Sequence, residues 1–335
     1  MDLSTRYLGM VIENPLVPSA SPLSRSLDSA RHLEDAGAAA LVMHSLFEEE
    51  IRQDGDDLVR LLHHQDSGHG NARDLLPRHQ DFSAGLDAYL EQLQILKRSL
   101  EIPVVASLNG ATLTGWVEYG QELERAGADA LELNVYYVAA DPDQPGAAVE
   151  ARYIELLKAL RRKVELPIAM KLTPQLSSIP NMVKRLEEAG ADGVTLFNRF
   201  YQPDINPNTL QVVPAWHPSG PADALLSMRW IAMLYRQVDL TLAASSGIHH
   251  ADDAIKMILA GADVTHLCTA LLQRGPEYLR DLRLGLEAWM EELGFESVEQ
   301  MKGAVSQHTV RDRAAFERTH YIHVLDTYSF PDGDA

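Results

Sequence analysis

Four times in this chain a helix-like stretch closes on Ala-Gly-Ala and then enters a short apolar run. The glycines are Gly37, Gly127, Gly190 and Gly261, and the runs occupy residues 41–43, 131–133, 194–197 and 264–268. Between them stands a second punctuation, Glu101-Ile102-Pro103, Glu165-Leu166-Pro167 and Asp239-Leu240-Thr241, each opening another apolar run. Glycine takes the left-handed conformation that closes a helix, and proline keeps the incoming chain extended. The alternation predicts seven strands, and the run at 16–20 supplies an eighth. Eight strand–helix units in 335 residues specify an α/β fold, a (β/α)₈ TIM barrel. A hairpin is expected at 2–14, turning near Gly9. The barrel is expected over residues 1–296, and a C-terminal extension over 297–335 packs on it or trails from it.

The remaining strands are expected at 104–108, 168–172 and 242–245, with the second ending at His44-Ser45. Two long loops interrupt the pattern. The one at 48–82 carries His63, His64, His69 and His79, whose spacing fits no compact ligand set, so it reads as solvated rather than metal-binding. The other, at 198–222, is rich in proline and reads as loop.

Composition narrows the function. With 46% hydrophobic residues the chain can bury a large core. No apolar run is long enough to span a membrane, and residues 1–10 lack the apolar core of a signal peptide, so a cytoplasmic protein is expected. The net charge of −19, with no basic stripe, repels nucleic acid and favours solubility. The single cysteine, Cys268, excludes an internal disulfide and a self-contained iron–sulfur cluster.

Chemistry in such a barrel sits at the carboxyl ends of the strands. There the sequence places Ser19, Ser21, His44, Ser45, Asn109, Asn134, Lys171, Asn198, Ser246, Gly247, Cys268 and Thr269. A nearly complete polar ring points to a polar ligand. Lys171 ends the apolar strand Ile168-Ala169-Met170, where a cation is costly unless an anion or electron-rich ligand meets it. Small residues at Ser246-Gly247 and Cys268-Thr269 let a phosphate approach backbone N–H groups, either of a nucleotide cofactor or of a phosphorylated substrate. Cys268 at this position reads as a small buried residue rather than a nucleophile.

These residues resemble the dihydroorotate dehydrogenase family along nearly the whole chain. Asn14-Pro15 with Ala20-Ser21 is similar to the family's opening Asn-Pro…Ala-Ser-Gly, with Pro22 for the glycine. Ala106-Ser107-Leu108-Asn109-Gly110 resembles its third-strand motif, and Leu133-Asn134 the start of Asn-Leu-Ser-Cys-Pro-Asn. Lys171 falls on the lysine that contacts the flavin, and Asn198 on an asparagine after the sixth strand. Ser246-Gly247-Ile248 and Cys268-Thr269-Ala270-Leu271 fall on the phosphate motifs. The departures lie on the substrate side. Tyr137 stands where the family has its catalytic Cys or Ser, Ala139 replaces the second asparagine, and His44 replaces a lysine. The asparagine-bearing segment before the second helix has no counterpart in Asp81-Phe82-Ser83-Ala84-Gly85.

The resemblance implies an FMN-dependent oxidoreductase acting on a CH–CH bond, as in dihydroorotate oxidation for pyrimidine synthesis. It implies FMN held by Ala20, Ser21, Asn109, Asn134, Lys171, Ser246, Gly247, Cys268 and Thr269. Substrate would meet Asn134, Asn198 and Tyr136. Lys171 would stabilise charge on the reduced flavin, Tyr137 would give a proton, and His44 would offer a compensating cation. A homodimer, a small-molecule substrate and a soluble or protein electron acceptor are implied as well. Other readings stay open: a reductase of a different small unsaturated substrate, a phosphate-binding barrel without redox chemistry, an FMN-binding subunit without turnover, and a dihydrouridine synthase, for which the charge is wrong.

Overall fold

The structure, a computed structural model, describes residues 1–48, 51, 85–110, 112–135, 137–199, 203–213, 217–314 and 316–318. Thr5–Tyr7 (β1) and Met10–Ile12 (β2) pair antiparallel and turn through Leu8 and Gly9, both at positive φ. Six parallel strands follow: Leu16–Pro18 (β3), Leu41–Phe47 (β4), Val104–Asn109 (β5), Ala130–Asn134 (β6), Ile168–Leu172 (β7) and Gly193–Leu196 (β8). Asp204–Asn206 (β9) and Gln211–Val213 (β10) form a separate hairpin, and Thr241–Ser245 (β11) and Val264–Leu267 (β12) complete the parallel sheet. Its order is β3-β12-β11-β8-β7-β6-β5-β4. The Ala39 N–H donates to Leu16 O at 3.2 Å across the remaining seam, so the barrel is nearly closed.

All eight expected barrel strands are present, their ends displaced by a residue or two. The four Ala-Gly-Ala glycines take positive φ at the close of their helices. The loop expected at 198–222 differs: it contains the β9–β10 hairpin. Asn206 Oδ1 accepts from the N–H groups of Asn208 and Thr209 and builds the turn, while Ile205 and Val212 stay exposed. Two three-residue strands are too short for periodicity to announce.

Helices fill the connections: Leu27–Asp35 (α1), Gly85–Ser99 (α2), Leu113–Arg125 (α3), Gly146–Arg161 (α4), Ile179–Glu188 (α5), Ala224–Leu234 (α6), Ala251–Ala260 (α7), Thr269–Arg274 (α8), Tyr278–Leu293 (α9) and Val298–Met301 (α10). Successive strand residues point to opposite faces, and this divides the core in two. Outward residues such as Leu131, Leu133, Met170 and Leu196 pack on the helices. Inward residues Val17, Val42, Val105, Ala130, Ala169, Ala243 and Val264 form an apolar floor, plugged from below by Tyr7, Leu8 and Ile12 of the hairpin. Gly193 makes room for that plug, because a Cβ there would lie 2.6 Å from Leu8 Cδ2. Beyond the barrel, Val298 and Met301 of α10 pack with Leu3, Ile258 and Met290, and the Asp2–Ser297 bridge ties this segment to the N-terminus.

Candidate active site

Two residues further along each strand the inward face turns from apolar to polar. Ala130 is followed by Glu132 and Asn134, Ala169 by Lys171, Gly193 by Thr195 and Val264 by His266. The ladders place Lys171 beside Asn134 on one side and Thr195 on the other. At the centre is Glu132, with no exposed surface. Lys171 Nζ donates to Glu132 Oε1 at 3.2 Å, and Thr195 Oγ1 donates to Glu132 Oε2 at 2.9 Å. His266 Nδ1 lies 3.5 Å from Glu132 Oε2, and Tyr7 Oη lies 3.2 Å from His266 Nε2. Burial alone would push the Glu132 carboxyl up, but the Lys171 charge, His266 and the Thr195 hydroxyl outweigh it and hold it below the usual range. The lysine is therefore balanced from below by an ionised carboxylate, a partner the sequence reading missed.

Above this layer opens a cavity of about 480 Å³, a size that suits a small-molecule ligand. Lys171 and Asn134 line it, as do Ala20, Ser21 and His44 above the first two barrel strands and Asn198 after β8. Ser246, Gly247, Cys268 and Thr269 line it after β11 and β12. Asn109 is buried at the end of β5 and does not line it. Tyr137 is also elsewhere: its hydroxyl donates to Gln144 Oε1 at 2.6 Å, and its ring lies 4.0 Å from the Arg152 guanidinium carbon. Tyr136 and the four histidines at 63–79 fall outside the described residues. Arg25, Arg199 and His217 line the cavity without having been singled out in the sequence.

The residues fit a flavin nucleotide. Asn134 donates weakly to Ser45 Oγ at 3.4 Å, but its Oδ1 is buried without a hydrogen-bond partner, an acceptor in need of a donor. Ser246 and Gly247 both take positive φ, at 76° and 74°. Among the described residues nothing accepts from the N–H groups of Gly247 and Ile248. The donors next along are used: Asp253 accepts from His249 and His250 N–H at 3.0 and 2.9 Å. Thr269 is steadied by Ser219, whose hydroxyl donates to Thr269 Oγ1 at 2.9 Å. Burial pushes the Cys268 thiol up, away from the reactive thiolate.

The charge expected of His44 is absent. Burial first, and then the nearby Arg25, push its pKa down to about 4, so the ring is neutral at pH 7. Burial lowers His266 to about 4 as well. Both folded values lie below the ordinary 6.5, so the stability held by keeping these rings neutral is full above that pH and is lost as pH falls towards 4. For the fully buried His266 the loss approaches about 3 kcal/mol. Urea unfolding should show a lower midpoint at pH 5 than at pH 7.5, and His266→Gln should flatten that difference; equal wild-type midpoints would contradict it.

A nearly closed parallel barrel with a polar cavity at the carboxyl ends of its strands defines an α/β barrel whose ligand site is at the mouth. Within that class the chain belongs to the dihydroorotate dehydrogenase family, whose model matches residues 2–290. It is 28% identical over 313 residues to the catalytic subunit of dihydroorotate dehydrogenase B (NAD(+)) of Methanothermobacter thermautotrophicus, covering 90% of this chain and 97% of that protein. The protein of the same name from Pyrococcus furiosus is 27% identical over 318 residues, covering 90% and 98%. That from Anoxybacillus flavithermus is 26% identical over 308 residues, covering 90% and 95%. Among the described residues no helix is long and apolar enough to cross a membrane.

Proposed function

We propose that this chain is an FMN-dependent oxidoreductase that moves hydride between a dihydroorotate-like CH–CH substrate and flavin N5. The observation that carries this reading is Lys171, set on buried Glu132 and lining a cavity that is also lined by Asn134, whose buried Oδ1 has no hydrogen-bond partner. Bound FMN would supply the two-electron chemistry. The turns at Ser246-Gly247 and Cys268-Thr269 would hold its phosphate, with Ala20 and Ser21 closing the adjacent side. Lys171 would oppose negative charge on the reduced ring, a fixed electrostatic role that needs no rearrangement at the moment of reaction. Asn134 and Asn198 would orient ring edges and substrate. With Tyr137 bonded to Gln144, proton exchange is left to neutral His44, to Ser45 or to water.

The names of the relatives, catalytic subunits of an NAD(+) enzyme, support a partner subunit as the route for electrons. The 335 residues hold a single cysteine, too few thiolates for an iron–sulfur cluster of their own. A cytoplasmic homodimer completes the proposal. The substitutions Ala139 and His44 favour a substrate other than dihydroorotate itself, reduced or oxidised by the same machinery.

The purified protein should show a flavin spectrum and be bleached only slowly by dihydroorotate under anaerobic conditions. Gly247→Ala should weaken FMN binding at least tenfold. A Cβ at residue 247 would lie 2.3 Å from Ala224 N, and an alanine at positive φ costs about 1–2 kcal/mol. Wild-type protein that is colourless and takes up no FMN overturns the proposal. FMN binding unchanged in the variant removes the Gly247 turn from the site.

A further inference from the structure

The charges around the cavity are segregated against the trend of the chain. The protein carries 48 acidic residues, yet no aspartate or glutamate lines the cavity among the described residues. Three permanent cations do: Lys171, Arg199 and Arg25. Two are already matched. Lys171 is bonded to Glu132, and Arg199 Nη1 lies 2.7 Å from Asp223 Oδ2. Arg25 has no ion pair with any described residue.

Arg25 is also held in place through its backbone. It ends the short helical segment Pro22–Arg25, whose start is capped by Ser21 Oγ accepting from Leu23 N–H. Ser24 pins this segment over β4, because its hydroxyl accepts from the His44 N–H and donates to Ser21 O at 3.1 Å. Gln92 Nε2 donates to Ser24 O at 3.2 Å from α2. The guanidinium thus hangs from a fixed point beside His44, two strands along the barrel from the turn after β12.

We propose that Arg25 is the residue that recognises a carboxylate on the substrate, at a point over β4 separate from the cofactor's phosphate turns. The proposal rests on the functional reading above and adds the substrate's charge and its partner. A planar guanidinium with an unused fork of donors matches a carboxylate in two parallel hydrogen bonds. Neutral His44 and the Ser21 hydroxyl, both at the cavity wall, can contribute uncharged bonds but no attraction at a distance. The cation at this corner therefore comes from the loop after β3 and not from the strand position at residue 44.

Calorimetric titration of the protein as purified with orotate and with uracil, which have the same ring with and without the carboxylate, tests this. The wild-type protein should prefer orotate by tenfold or more. Arg25→Gln should reduce that preference about 10- to 100-fold, the size of lost hydrogen bonds to a charged group. Arg25→Lys should keep part of it, and the flavin content of both variants should equal that of the wild type. An unchanged preference in Arg25→Gln, or no carboxylate preference in the wild type, overturns the proposal. Loss of FMN from Arg25→Gln with the preference intact would assign the arginine to the cofactor phosphate and overturn it equally. A colourless protein that still shows the Arg25 effect would instead refute the flavin reading and leave this site standing.

Discussion

Lys171→Ala should slow reduction of the bound flavin about 10²- to 10³-fold in a protein that remains folded, the size found when one preorganised electrostatic group is removed. The lysine is buried to within 6% of its surface, lines the cavity and makes its one bond to a carboxylate below it. Its removal leaves Glu132 in the barrel without a countercharge. Burial already pushes that carboxyl up, so without Lys171 it takes up a proton and keeps the Thr195 bond, which lets the fold survive. The variant's barrel interior is then neutral where the wild type has a paired charge. Stopped-flow reduction, with circular dichroism and flavin content as controls, measures the effect. A folded, flavin-loaded variant reduced at the wild-type rate would return Lys171 to a purely structural role.

Much of the barrel was legible because its signals are local. A glycine that closes a helix and an apolar run that follows it are neighbours in the chain, and the pattern recurs along its length. The ring of polar residues at the strand ends was legible for the same reason. What escaped depends on direction and distance. Glu132 sits inside Leu131-Glu132-Leu133 and reads as an ordinary strand residue until the two-residue period places it on the face of Asn134. The same period puts His266 two residues past Val264, inside the barrel. Tyr7 gave no signal at all, since it reaches His266 from 259 residues away in sequence. Position predicted Tyr137 at the cavity, but Gln144 and Arg152 draw it aside. The identity of residue 44 was plain, whereas its lost charge follows from burial and from Arg25, a neighbour brought close by folding.

The largest effect on stability should come from Glu132. Glu132→Gln keeps the shape and most of the hydrogen bonding but removes the only carboxylate beside Lys171 in the barrel interior among the described residues. Breaking a buried ion pair from one side costs about 3–5 kcal/mol, because the remaining charge stays desolvated. Here the remaining charge is an ammonium 8% exposed, on a strand flanked by ladders on both sides, so it has little freedom to reach water. The pair itself need not stabilise the barrel by that amount. Removing both charges in Lys171→Met with Glu132→Gln should therefore recover much of the loss, and the coupling between the two sites should be at least about 2 kcal/mol. Acid titration gives an independent sign. The depressed Glu132 carboxyl contributes stability that is present at neutral pH and lost as pH falls below the ordinary carboxylate range, and Glu132→Gln should lack that component. Urea unfolding of the four proteins across pH measures both quantities. Additive losses in the double variant would mean that Lys171 and Glu132 act separately, and the charge that the cavity offers its ligand would then be a free cation rather than a balanced one.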